Sequence, residues 1–298
     1  MTKSRKKILL FTEFSKKIGK GHYYRSLQIK KKLSRKYKCE IEFNKSRDYI
    51  YFKIKKKKPA LVIFDFKNYN HNLFKHNTKY IAFDNNVKYH KNLINLNPLT
   101  LAKKPYSGPD WYPYPDEFLK EKNKKVRENN FSLLITQGAT DAFNNLNKIL
   151  KCLDYLDYKK IRTCIIKIPE GTNLNIKNKN NIEIKKIRTI KKISNIFKNI
   201  DLAITGCGNF ALEISFFGIP SVYVSSEKTE IKRGKLLQKN NLGKFYTPNN
   251  FKNIANELNR LVNNNNYYNK IVQKKLKIFR KKGLSNILKL VDGQMNEI

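Results

Sequence analysis

Acidic side chains are scarce in this chain: its 298 residues include 23 Asp and Glu against 63 Lys and Arg, a formal net charge of +40. An excess of that size is the electrostatic footprint of a polyanion binder. Here the Lys is spread along the whole sequence instead of forming one arm or stripe. It also comes with abundant Asn, Ile, Tyr and Phe, which share A/T-rich codons with Lys. The expected reading is therefore a solvated basic surface that helps attract an anionic small molecule, with no specific nucleic-acid partner. The rival, a non-enzymatic polyanion-binding protein, predicts strongly salt-dependent nucleic-acid binding.

Cysteine is also sparse. Cys39, Cys152, Cys164 and Cys207 are the only four. They form no C-x-x-C pair and have no His nearby, so neither a zinc site nor a disulfide framework is expected. Reduced thiols fit a cytoplasmic location. Long apolar runs are missing. The segment ILLF stops at Glu13, too soon for a signal-peptide core, and LEISFFGIPSVYV is interrupted by Gly218 and Pro220, far short of a membrane span. Hydrophobic residues still make up 40% of the chain, enough for real cores.

What is present is an alternation. KILLFTE, CEIEF, ALVIFDF and YIAFD read as buried strands, with a helix over HYYRSLQIKKKLSRKY after the first. The charged stretch 121–130 reads as a linker. The rhythm restarts with FSLLIT, IRTCIIKI, IEIKKI, DLAIT and IPSVYV, separated by the helical segments FNNLNKILKCL, IKKISNIFKNI and NFALEISFF. This predicts an α/β protein of two Rossmann-like domains, residues 1–125 and 126–298, with the last helix crossing back. Ligands of such sheets sit at the C-terminal strand ends, and an interdomain cleft is the expected binding place.

Two glycine turns stand out. In IGKGHYYRS, Gly19 and Gly21 allow a tight turn before a helix. His22 sits at the helix start and Arg25 comes about one turn later. A neutral imidazole there could accept a proton from water; a plain capping or phosphate-contact role is the alternative. In TGCGNFALE, backbone N–H groups near Gly206, Cys207, Gly208 and Asn209 could face a diphosphate. Glu213, one turn on, could accept from ribose hydroxyls. The spacing is neither the dinucleotide fingerprint nor a Walker loop, and a simple packing turn is the alternative. Cys207 at a helix start could acquire a lowered pKa, but no base accompanies it, so an inert thiol is expected. ITQGATD offers Gly138 as a further anion-facing turn, with Asp141 as N-cap of the next helix. SGPDWYPYPDEF is stiffened by Pro109, Pro113 and Pro115 and reads as a packed strap.

As a set, these stretches resemble the UDP-sugar hydrolases of pseudaminic acid biosynthesis, a family also named for spore-coat polysaccharide biosynthesis. Those enzymes are similar in fold to the GT-B glycosyltransferases. The resemblance covers about residues 6 to 250. It includes IGKGHYYRSLQIKKKL against I-G-x-G-H-x-x-R-x-L, LVIFDF and IAFDNN with Asp65 and Asp84, SGPDWYPYPDEF, ITQGATD, and DLAITGCGNFALEISFFGIPSV. It implies a GT-B-like fold, His22 as catalytic base, and Gly206, Gly208, Asn209 and Glu213 at the nucleotide. The family places a Tyr two residues after Asp65; Lys67 stands there, and Tyr69 is expected in its stead. Ala139 replaces the family's second Gly and Asn209 its usual Ser or Thr, while Thr229 and Glu230 fall where it has Asn-Gln.

The implied reaction releases UDP and a free amino-deoxy sugar. Water attacks the anomeric carbon and neither metal nor cofactor takes part. A phosphate leaving group needs little protonation, so one base suffices where glycosidases use two carboxylates. A GT-B glycosyltransferase using the same UDP-sugar as donor is the alternative. The expected partner is the UDP-sugar alone, and the expected state is a monomer without a membrane span.

Overall fold

The structure is a computed structural model. It describes residues 5–15, 19–66, 71–74, 77–84, 90–101, 104–120, 130–138, 140–169, 172, 174, 182–188 and 193–297. The chain divides into two units, Met1–Pro115 with Lys281–Ile298, and Asp116–Arg280.

The first unit contains β1 (Lys7–Thr12), α1 (Gly21–Leu33), β2 (Lys38–Phe43), α2 (Arg47–Lys57), β3 (Leu61–Asp65), β4 (Lys79–Phe83) and β5 (Leu93–Leu96). The five strands are all parallel, in the order β2-β1-β3-β4-β5. Strands buried on both faces read as continuous apolar runs. Ile8, Leu10, Leu61 and Ile63 pack on one side with Ile29 and Leu33 of α1. Leu9, Phe11, Val62 and Phe64 pack on the other with Ile50 and Ile54 of α2.

The second unit contains α3 (Asp116–Leu119), β6 (Phe131–Thr136), α4 (Leu146–Ile149), β7 (Ile161–Lys167), β8 (Glu183–Ile187), α5 (Ile193–Phe197), β9 (Leu202–Thr205), α6 (Asn209–Phe216), β10 (Ser221–Val224), α7 (Lys228–Lys239), β11 (Lys244–Tyr246), α8 (Phe251–Asn263) and α9 (Asn265–Phe279). Its six parallel strands run β11-β10-β9-β6-β7-β8. The helix expected from Phe143 starts only at Leu146. Asp141 and Asn144 hold left-handed φ of 40° and 50°, which no helix accommodates. The N-cap of α4 is Asn145, not the expected Asp141, whose carboxylate accepts from the loop side, from the N–H groups of Asn145 and Leu146 at 2.9 Å each.

The chain ends in α10 (Gly283–Asn296), which belongs to the first unit. Leu284, Ile287, Val291 and Met295 form its buried stripe and join the core made by β1, β3 and α1. Asn286 Nδ2 donates to the Asp110 carbonyl at 2.9 Å, and Tyr37 bonds Asp292. The proline-rich segment folds as a short 3-10 turn, Pro109–Trp111, beside this helix. No helix among the described residues is long and apolar enough to cross a membrane. The expected linker lies at 121–129 outside the described residues, apart from its last residue, Asn130.

Candidate functional site

In a parallel sheet ordered 2-1-3-4-5, connections leave the first and third strands in opposite directions. The crevice at their C-terminal ends is the usual ligand place. Thr12 ends β1 there, in register with Asp65, which ends β3. The chain leaving β1 returns through Gly19, at φ 83°, whose N–H donates to the Ser15 carbonyl at 2.8 Å. It then enters α1 at Gly21. That turn sets the first helical turn directly over the end of β3.

His22, Arg25 and Ser26 have the i, i+3, i+4 spacing of one helix face, and all three reach Asp65. His22 Nδ1 lies 2.6 Å from Asp65 Oδ1. Arg25 donates from Nε to Oδ2 at 2.8 Å and from Nη2 to Oδ1 at 2.5 Å, and Ser26 Oγ donates to Oδ2 at 3.1 Å. Arg25 Nη1 donates to Asp84 Oδ2 at 2.8 Å, and its guanidinium lies over the Phe83 ring. Burial alone would raise the Asp65 pKa. The charge and hydrogen bonds of Arg25, then those of His22, outweigh it and hold this carboxyl well below the usual carboxylate range. Burial works against the Arg25 charge in the same way, and Asp65 and Asp84 more than restore it, raising Arg25 above its ordinary value.

An ionised Asp65 accepts from Nδ1–H, which assigns the neutral imidazole its tautomer and leaves the Nε2 lone pair as the basic position. Arg25 Nη2 is also 3.3 Å from Nδ1, but both are donors, so the shorter carboxylate contact decides. The ring is not closed off, its side chain being 14% exposed. A carboxylate bonded to one ring nitrogen is an arrangement that general-base histidines use.

Arg25, expected from the sequence at the substrate, is buried here. Its side chain is 0% exposed and two carboxylates engage its guanidinium. Its guanidinium lies beside the imidazole of His22, 3.3 Å from Nδ1. Gly19, Gly21 and His22 do come together at this strand end. Tyr69 lies outside the described residues. Sequence reasoning assigned no role to Asp65, Asp84 or Ser26; an acid closing each of two apolar strands was the available signal.

In the second unit, numbering its own strands one to six gives the order 3-2-1-4-5-6 reversed, with the switch between β6 and β9. Thr136 and Thr205 end those strands in register. Gly138, at φ 83°, donates its N–H to Thr136 Oγ1 at 3.1 Å. Across the switch, Gly206, Cys207 and Gly208 lead into α6 at Asn209. Glu213 sits half-buried on its second turn. The Thr205 Oγ1 and Asn209 Oδ1 atoms are buried with no hydrogen-bond partner among the described residues.

The loop amides were expected to face a ligand, but one is already engaged. Cys207 N–H donates to Glu230 Oε2 at 3.1 Å. Glu230 stands in the first turn of α7, where its own N–H donates to Glu227 at 2.8 Å. Beside it, Ser226 Oγ donates to Asn145 Oδ1 at 2.9 Å, and Asn145 Nδ2 to Gln137 Oε1 at 3.5 Å. The Cys207 thiol is pushed well above its ordinary value, by burial first and by Glu230 second, with Arg233 opposing.

No protein-family model matches the chain, and no curated protein matches it. Solved structures do match. Acinetobacter baumannii MurG aligns with TM-score 0.64 at 13% identity, over 97% of this chain and 99% of that one. The S. aureus MnaA–UDP co-structure aligns with TM-score 0.66 at 12% identity, over 98% of each. The fold is GT-B. CalG4, the calicheamicin glycosyltransferase, extends the GT-B likeness over 100% of both chains, with TM-score 0.65 at 12% identity.

Proposed function

We propose that this GT-B chain hydrolyses a UDP-sugar, with the first unit supplying the base and the second holding the nucleotide. The observation that carries the reading is the 2.6 Å contact between His22 Nδ1 and Asp65. It leaves Nε2 as the proton acceptor. Water gives a proton to Nε2 as its oxygen bonds to the anomeric carbon. The anomeric C–O bond breaks and its electron pair leaves on the UDP phosphate oxygen. Backbone N–H groups at the start of α6 favour the charge that gathers there. A UDP complex among the structural neighbours supports uridine diphosphate as the nucleotide. The sequence resemblance narrows the sugar to an amino-deoxy one, the free product feeding a nonulosonic acid of the pseudaminic type.

Transfer to an acceptor other than water is the second reading, supported by a neighbour named as a glycosyltransferase. Incubating the protein with a panel of UDP-sugars and no acceptor separates the two. UDP release at a steady rate, lost in His22→Ala, supports hydrolysis. Release that begins only when an acceptor is added overturns it in favour of transfer.

A further inference from the structure

The Glu230 carboxylate lies where the glycine turn would receive an anion. Its Oε2 takes the Cys207 N–H at 3.1 Å. A Cβ at position 206 would stand 3.2 Å from Oε2, and one at position 208 would stand 3.1 Å from Oε1. The two glycines therefore leave just the room this carboxylate fills. Glu227 holds the turn that presents it, accepting from the Glu230 N–H and from Thr229. The sequence pattern of an open phosphate cradle thus folds into a cradle that contains its own anion.

We propose that Glu230 is an internal competitor for the diphosphate seat, so that nucleotide binds this turn by displacing the carboxylate from the Cys207 amide. The inference rests on the reading of the second unit as the nucleotide site. A carboxylate and a diphosphate within a few ångströms repel strongly where solvent screening is weak, and the amide can serve only one of them. Glu230 then lowers nucleotide affinity and favours release of the UDP product. The neighbouring half-buried Arg233, one turn along α7, stays in place to meet the incoming phosphates.

The test is UDP binding by titration calorimetry on the full chain, wild type against Glu230→Gln, with uridine as the ligand lacking phosphates. Glutamine keeps the shape and a weaker acceptor but removes the charge. UDP affinity is expected to rise by about tenfold in Glu230→Gln, with uridine affinity unchanged. Equal UDP affinity in the two proteins overturns the competitor while keeping the nucleotide site. Weaker UDP binding by Glu230→Gln makes Glu230 a nucleotide ligand and also overturns it. Absence of UDP binding in both proteins removes the nucleotide reading and the inference together. The wild type alone provides a second measurement that needs no variant to fold. On adding UDP, amides of residues 206–209 should exchange more slowly and those of residues 228–231 faster. Slower exchange in both segments overturns the displacement.

Discussion

His22 Nδ1 and Asp65 Oδ1 stand 2.6 Å apart although 43 residues separate them in sequence. The contact couples the two residues: the acid engages one ring nitrogen, and under the proposed hydrolysis the other takes the proton. His22→Ala should lower UDP-sugar turnover by about a hundredfold or more, the range of a lost general base, with UDP binding retained. Asp65→Asn should also lower turnover, and should alter the acidic limb of the pH–rate profile, because an amide can present the ring with the wrong tautomer. Turnover unchanged in His22→Ala would remove it from the chemistry.

Arg25 acts on stability. Its fully buried guanidinium joins Asp65 and Asp84. Arg25→Met strands two carboxylates, one of them wholly buried, and should cost about 3–5 kcal/mol in denaturant unfolding. Arg25→Lys should recover little of it, since one ammonium cannot reproduce the fork that grips both acids. The pH dependence has a fixed sign. The folded pKa of Asp65 lies below its ordinary 3.8, so its contribution is complete above that value and is lost as pH falls below it. The acid limb of wild-type stability should be steeper than that of Asp65→Asn.

Lys275 is the opposite case. It is fully buried, donates to the Ile219 carbonyl at 2.7 Å and to Ser221 Oγ at 2.9 Å, and burial holds its pKa well below the ordinary 10.5. Between the folded value and 10.5 the unfolded chain binds the extra proton. Stability from this group is therefore complete above 10.5 and declines as pH falls. Relative to Lys275→Met, the wild type should gain stability from about pH 8 to about pH 10. Thermal melts that stay parallel across that range would show that the buried amine is not neutral.

Gly283 begins α10 against the Tyr112 backbone. A Cβ there would stand 2.0 Å from the Tyr112 carbonyl oxygen and 2.7 Å from its nitrogen, atoms that cannot step aside. Gly283→Ala should destabilise the first unit by about 1–3 kcal/mol. Hydrogen exchange should quicken in α10 and in the strands beneath it. An unchanged melting temperature would mean that the helix start moves freely.

The strands were legible because parallel sheets covered on both faces demand unbroken apolar runs, and KILLFT, LVIFD and FSLLIT have them. The turns at Gly19 and Gly138 and the helix start at Gly21 were legible for an equally local reason: a left-handed φ of 83° at each of the two turn glycines and a change of period from two to 3.6. Helix α2 was not. Its Tyr, Phe and Lys residues show no clean apolar face, and it depends on the Ser46 cap and on burying Ile50 and Ile54. Asp141 and Asn144 hid the true start of α4 in the same way, through backbone conformations that only the folded loop imposes.

Chain order alone put glycines, a histidine and an amide-rich helix start at strand ends. Only tertiary structure decided which charges meet them. Strand register brought Asp65 to His22 and turned Arg25 inward. The packing of α7 laid Glu230, 23 residues away, on the Cys207 amide. Local propensity acts over a few residues, whereas a charge takes its role from whatever the fold carries within about 4 Å of it, and that distance has no image in sequence separation.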